Sequence, residues 1–211
     1  VGTPDGSDEV RGTVVVISDG VEGYATAYQS KLIDQLSGAG YTVILTETIL
    51  NEIGTNEDET LQPFQRPHDL TDPIRSRNLY LQGINELFSF EALLTSMPDL
   101  VLTQPNAANH LFVVGHGNGV DLALPFGTLS QHVEALILSS GEGGIIDKYL
   151  EMESPLNTRH QLPFLTADSE LNGIHPAMSL LQSQLDARDP MNYGLKVREI
   201  SDDIPRKHIL Y

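Results

Sequence analysis

A glycine-rich turn between two apolar stretches carries the strongest chemical signal in the sequence. It reads GHGNG and comprises Gly115, His116, Gly117, Asn118 and Gly119. In a strand-turn-helix setting, G-x-S-x-G is a nucleophile elbow, because small flanking residues allow a strained turn that lifts a serine hydroxyl above the sheet. The frame is complete except at its centre, where Gly117 stands in place of serine. Covalent acyl transfer needs a nucleophile that a neighbouring base activates, so we expect no turnover from this chain.

Two other interpretations of the turn stay open from the residues alone. The first is a strand-to-helix connection without chemistry. The second is a dinucleotide-binding turn, in which glycines let a pyrophosphate approach a helix N-terminus. Against the second, Val120 interrupts the G-x-G-x-x-G spacing, and the ribose-binding acid would have to be Glu142. Ser139 and Ser140 also lie at the end of an apolar run, where a serine more often makes loop hydrogen bonds than acts as a nucleophile.

Four apolar runs predict the strands that position this turn. They are Gly12 to Asp19, Tyr41 to Thr46, His110 to Val114 and Val133 to Leu138. Their length and their β-branched residues are typical of buried parallel strands. Parallel neighbours are joined by right-handed crossovers. The sequence therefore predicts a three-layer α/β sandwich with a mainly parallel sheet.

Stretches with helical spacing alternate with these runs. We predict helices over Tyr24 to Leu36, from Pro73 behind an Asp72 cap, over Val120 to Phe126 and over Pro176 to Leu185. Pro125 removes a backbone hydrogen bond, so the third of these helices should be short or kinked. The long second helix carries an apolar stripe made of Ile74, Leu81, Ile84, Leu87, Phe88, Leu94 and Met97. The polar and acidic stretch 47–71 predicts a long loop, and a loop of that length in a compact domain is usually functional or mobile.

Together with its strand, the turn resembles the elbow of the α/β-hydrolase family of serine esterases and lipases, in which G-H-S-N-G is familiar. GTVVVISDG resembles the strand before that family's oxyanion loop, and VEALILSSG resembles the strand after the nucleophile helix. The resemblance implies hydrolysis of carboxylic esters without a cofactor. It places the nucleophile position at Gly117, and oxyanion N–H groups at Asn118 and in the loop of Gly20 and Val21. His116 is not the histidine of the triad in this comparison.

The same resemblance divides the chain. It implies a flexible N-terminal segment (1–11), an α/β-hydrolase core (12–140), a helical cap (141–203) and the start of a truncated core strand (204–211). HPAMSLLQSQLDARDPMNYG resembles the caps of bacterial lipase-like members. The family's catalytic acid and histidine would lie beyond Tyr211, a second reason to expect an inactive chain. An exposed strand edge at His208 to Tyr211 would invite pairing with another chain, so we expect self-association.

A non-catalytic binding module for a small apolar or acyl ligand is the alternative function. Its pocket under the cap would be lined by apolar side chains, namely Leu150, Leu156, Phe164, Leu165, Met178 and Leu181. Gly117 itself has three explanations: an introduced substitution, a natural change in a binding protein, or divergence without surviving function.

The composition of the chain argues against several classes of binding partner. The formal net charge of -17 would repel a phosphate backbone, which argues against nucleic acid, and no apolar run approaches the roughly 20 residues of a membrane span. Cysteine is absent, and the acidic clusters at Asp5, Asp8, Glu9 and 52–59 lack a calcium-loop pattern, so no metal is expected. A start at Val1 instead of methionine suggests processing, which favours a secreted or periplasmic location without fixing the compartment.

Overall fold

The computed structural model describes residues 11–18, 27–46, 72–97, 110–139, 141, 144, 176–194 and 208–210. Within these ranges the strands form one parallel sheet in the order β2-β1-β3-β4-β5. They are β1 (Gly12–Ser18), β2 (Tyr41–Thr46), β3 (Leu111–His116), β4 (Val133–Ser139) and β5 (His208–Leu210). The helices are α1 (Ala27–Gly38), α2 (Pro73–Ser96), α3 (Val120–Leu129), α4 (Pro176–Leu185) and α5 (Met191–Gly194).

Alternate residues of β1 face two different helical layers. Val15 and Ile17 lie in a core cluster with residues of α2 and α3, whereas Val14 and Val16 lie in a second cluster that α1 covers. Every residue of β1 is buried, as expected for a parallel strand with both faces covered. The predicted three-layer sandwich with a parallel sheet is confirmed.

Helix α2 begins as the sequence predicts. Asp72 is the N-cap, and its Oδ1 accepts the Arg75 backbone N–H at 2.9 Å, while Pro73 occupies the first turn.

None of the helices within the described ranges is both long and apolar enough to cross a membrane.

The two ends of the predicted apolar stripe of α2 are exposed. Ile84, Leu87 and Leu94 belong to the core, but Ile74 and Met97 are 50% and 54% exposed. The prediction is wrong for these two residues, because the buried positions of α2 run from Ser76 to Leu94. Ile74 precedes these positions, and Met97 is the C-cap that follows them.

Helix α3 runs through Pro125 and ends at Leu129, which makes it longer than predicted. Ser130 follows as its C-cap, and the Ser130 hydroxyl donates to the buried Glu91 carboxylate of α2. The same Oγ accepts the backbone N–H groups of His132 and Val133, each at 3.0 Å. One buried hydroxyl therefore joins α2 to the turn that leads into β4.

Residues 176–194, called the docked segment below, pack on the helical layer formed by α2 and α3. Helix α4 contacts α2, and α5 contacts α3. Arg188 is fully buried, its guanidinium lies 3.9 Å from the centre of the Tyr80 ring, and its Nη1 donates to the Ser76 hydroxyl. A cation over an aromatic face is favourable, the more so when both are desolvated, so this arginine anchors the segment to α2.

Local hydrogen bonds shape the end of the docked segment. The Asp189 carboxylate accepts the Gln182 side-chain amide at 2.6 Å and the Met191 backbone N–H at 3.0 Å. The Asn192 amide donates to the Asp186 carbonyl at 2.7 Å, and the Tyr193 hydroxyl donates to the Ala187 carbonyl at 2.8 Å. The run DARDPMNYG thus folds on itself through its own polar side chains.

Candidate functional site

The GHGNG turn connects β3 to α3 without any intervening loop. Gly115 and His116 end the strand, Gly117–Gly119 form a single 3-10 turn, and α3 begins at Val120. The strand continues two residues beyond the predicted end at Val114. The strand-turn-helix setting that G-x-S-x-G requires is therefore present around Gly117.

The two outer glycines are demanded by close packing. A Cβ atom on Gly119 would lie 2.2 Å from the carbonyl oxygen of Ile17 in β1. A Cβ atom on Gly115 would lie 2.6 Å from the Cβ of Ala123 in α3. Both separations are too short for carbon in van der Waals contact, so each glycine lets one structural element approach another.

The central glycine is demanded by backbone conformation. Gly117 has φ of +57°, in the region that residues with a side chain adopt uncommonly. Functional turns often hold a residue in such a conformation at a cost in free energy, and the nucleophile elbow is a turn of this strained kind. Glycine adopts this φ without that cost, whereas a serine here would be strained.

Three polar side chains lie in register at the carboxyl ends of neighbouring strands. Ser18 of β1 pairs with His116 of β3, and His116 pairs with Ser139 of β4. His116 and Ser139 are half-buried, whereas Ser18 is fully buried. The Ser18 hydroxyl forms no hydrogen bond with any of the described residues. The sequence marks His116 by its place in the turn and Ser139 by its place after a strand, but its only signal for Ser18 is a hydroxyl at the end of an apolar run.

Helix α3 contributes its N-terminal end to this edge of the sheet. The first N–H groups of a helix lack intrahelical partners and carry partial positive charge. Asp121 lies in the first turn and is buried, a position where the helix dipole favours a carboxylate. The turn around Gly117 is thus next to a helix end that favours negative charge.

Several predicted site residues lie outside the described ranges. These are Gly20, Val21, Ser140, Glu142, Leu150, Leu156, Phe164 and Leu165. The second oxyanion donor and most of the predicted pocket therefore stay predictions. Met178 and Leu181 are described and are buried on α4, the helix that packs against α2. Within the same described part of the chain, no group of three potential metal ligands comes together.

The fold is similar to that of known esterases. No protein-family model matches the sequence, and no curated protein matches it. The acetyl xylan esterase from Paenibacillus sp. R4 superposes with a TM-score of 0.57 at 16% identity, over 90% of this chain and 58% of that one. Acetyl xylan esterase 1 from Thermoanaerobacterium sp. JW/SL YS485 gives 0.54 at 16% identity, over 89% and 57%. An esterase from Pyrococcus furiosus gives 0.50 at 13%, over 90% and 58%.

These likenesses show the fold, which is an esterase-like α/β fold. The chain spans less than two thirds of the length of each of these three structures.

Proposed function

We propose that the turn at Gly117 is the nucleophile elbow of a carboxylic-ester hydrolase fold in which glycine replaces the serine, and that the chain binds acyl groups there without turning them over. The observation that carries the proposal is the φ of +57° at Gly117, at the junction of β3 and α3. Gly115 and Gly119 support it, because their close contacts with Ala123 and Ile17 hold the turn as tightly as an elbow requires.

The chemistry separates binding from turnover. Ester hydrolysis through an acyl-enzyme needs an oxygen or sulfur atom to attack the carbonyl carbon, and Gly117 has no side chain. The donors that stabilise the carbonyl oxygen are backbone N–H groups, which a change of side chain leaves in place. By the resemblance to serine esterases, the backbone N–H of Asn118 is one of these donors. The result is a site that retains its affinity for an acyl oxygen and has lost its nucleophile.

Binding is tested by titrating the isotopically labelled chain with butyrate and following the backbone amide signals by NMR. We expect saturable shifts at Gly117, Asn118 and Gly119. Butanol, which has the same chain but no acyl oxygen, should leave these signals unchanged. If butyrate and butanol shift the same amides equally, or neither shifts them, acyl binding at the turn is refuted.

The proposal that the missing serine explains the lack of ester hydrolysis is tested with Gly117→Ser. The change is made in this chain and in the longest product that its gene encodes. Hydrolysis of p-nitrophenyl butyrate and labelling by a fluorophosphonate report a serine that a base activates. Gly117→Ala is the matched control, because it introduces the same backbone strain without a hydroxyl. We expect Gly117→Ser to react in a chain that holds the rest of the triad, and Gly117→Ala to stay inert in every chain. If every Gly117→Ser form is folded and unreactive, the hydrolase relation of this turn is wrong.

A further inference from the structure

The row of Ser18, His116 and Ser139 occupies one face of the sheet. Side chains alternate between the faces of a strand, and Val16 and Val114 both lie in the cluster that α1 covers. Ser18 and His116 each follow these valines by two residues, so they lie on the α1 side as well. Ser139 is in register with His116 and therefore shares that side. With neighbouring strands about 4.8 Å apart, the row extends about 10 Å along the carboxyl edge.

We propose that this row is a subsite for the polyhydroxylated alcohol portion of an ester whose acyl portion lies at Gly117. The inference rests on the proposed function and names the class of substrate. His116 precedes Gly117 directly in the chain, which puts the row beside the turn. The length of the row, about 10 Å, suits a group of the size of glycerol or of one sugar ring.

The chemistry of the row selects neutral hydroxyl groups. A serine hydroxyl can donate and accept a hydrogen bond, and an imidazole ring can do both through its two nitrogens. A ligand hydroxyl can also donate and accept, so it can form a hydrogen bond with any member of the row. The row contains no lysine or arginine, and the chain has a net charge of -17. A carboxylate or phosphate therefore gains no ion pair here.

The Ser18 hydroxyl gives a second, separate reason to expect a ligand at this row. It is buried, and no described residue gives it a partner, although buried hydroxyl groups are normally hydrogen-bonded. His116 and Ser139 are half-exposed and would contact the ligand first. A hydroxyl that reaches past His116 would then complete the hydrogen bonding of Ser18.

The test titrates the labelled chain separately with glycerol and with butyrate, and follows the His116 ring, the Ser139 amide and the Asn118 amide by NMR. Glycerol should shift the His116 and Ser139 signals in a saturable manner. Ser18→Ala should weaken the apparent affinity for glycerol about threefold to tenfold, as expected for one lost hydrogen bond. Ser37→Ala is the matched control, because the Ser37 hydroxyl is also buried without a described partner but lies near the end of α1, at the opposite edge of the sheet. It should leave the affinity unchanged.

The outcomes separate the two proposals. If butyrate shifts Asn118 but glycerol shifts nothing, the subsite is refuted and acyl binding stands. If glycerol shifts His116 but butyrate shifts nothing, acyl binding fails and the polyol site stands by itself. Equal glycerol affinity in Ser18→Ala and Ser37→Ala would also overturn the subsite. Should Ser18→Ala unfold, Ser139→Ala on the half-exposed side must show the same loss for the proposal to survive.

Discussion

The GHGNG turn and the docked segment are held in place by opposite means. In the turn, Gly115 and Gly119 fix the geometry because they lack side-chain atoms, which lets β1, β3 and α3 approach one another closely. In the docked segment, Arg188 and Asp189 fix the geometry because their side chains reach partners on α2 and within the segment. Added atoms should therefore damage the turn, and removed atoms should damage the docked segment.

The largest effect is expected from Gly119→Ala. The new Cβ would lie 2.2 Å from the Ile17 carbonyl oxygen and 2.9 Å from the Ser18 Cα, both backbone atoms that cannot rotate away. We expect a loss of about 3 kcal/mol or more in the free energy of unfolding, measured by denaturant titration. Gly38→Ala is the control, because a Cβ there meets nothing within 4 Å and should leave stability within about 1 kcal/mol. Equal effects of the two changes would contradict the close packing at the turn.

Arg188→Ala should be next in size. It removes the cation over the Tyr80 ring and the hydrogen bond to Ser76, and it leaves a cavity under the docked segment. We expect a loss of about 2–3 kcal/mol, with faster amide hydrogen exchange concentrated in residues 176–194. Arg75→Ala changes an exposed arginine of the same helix layer and should cost much less. Uniformly faster exchange across the sheet would show that the segment is not separately anchored.

Asp189→Ala tests the hydrogen bonds at the start of α5. The change deprives the Met191 N–H of its side-chain acceptor and the Gln182 amide of one of its two acceptors, and losing such hydrogen bonds costs about 1 kcal/mol. Asp186→Ala is the matched control, since Asp186 accepts from the same Gln182 amide at 3.1 Å but is exposed. Thermal unfolding should separate the two variants, with Asp189→Ala the less stable. The reverse order would place the anchor of this segment elsewhere.

The smallest effect concerns pH. Burial raises the pKa of the Tyr193 hydroxyl above its ordinary value. A raised folded-state pKa means that the neutral phenol stabilises the fold fully below the unfolded value of about 10, and that this contribution is lost as pH rises through the folded pKa. We expect the docked segment to loosen only at strongly alkaline pH, as followed by phenolate absorbance and hydrogen exchange. Tyr193→Phe should abolish that part of the pH dependence, and an unchanged profile would exclude Tyr193 as its source.

The sequence predicts those features that depend on neighbours along the chain. Apolar β-branched runs locate β1 to β4, and the Asp72-Pro73 pair locates the start of α2. The glycines of the GHGNG turn predict a strand-to-helix connection through their spacing alone, although the close contact that requires Gly119 is with Ile17 of β1, about 100 residues earlier in the chain. Local patterns of this kind are visible in the sequence before the fold is known.

Features that depend on distant partners are not predicted in this way. Glu91 and Ser130 are 39 residues apart, and Ser76 and Arg188 are 112 residues apart. Glutamate and arginine are rarely buried unless they are paired, so the sequence alone assigns both to the surface. The buried hydroxyl of Ser18 becomes notable only when strand register places it beside His116. Tertiary pairing, and not local spacing, gives these residues their environment.

The order of strands in the sheet has a consequence for how the protein folds. Strand β1 lies between β2, which follows it closely in the chain, and β3, whose partner residues are about 100 positions away. Bringing such distant segments together carries a loop-closure cost and slows folding. Gly119 packs directly on Ile17 of β1, so the turn cannot reach its final geometry before β1 and β3 have paired. We therefore expect the turn to form late during folding, and an assay of the site would report chains that have completed the slowest pairing of the sheet.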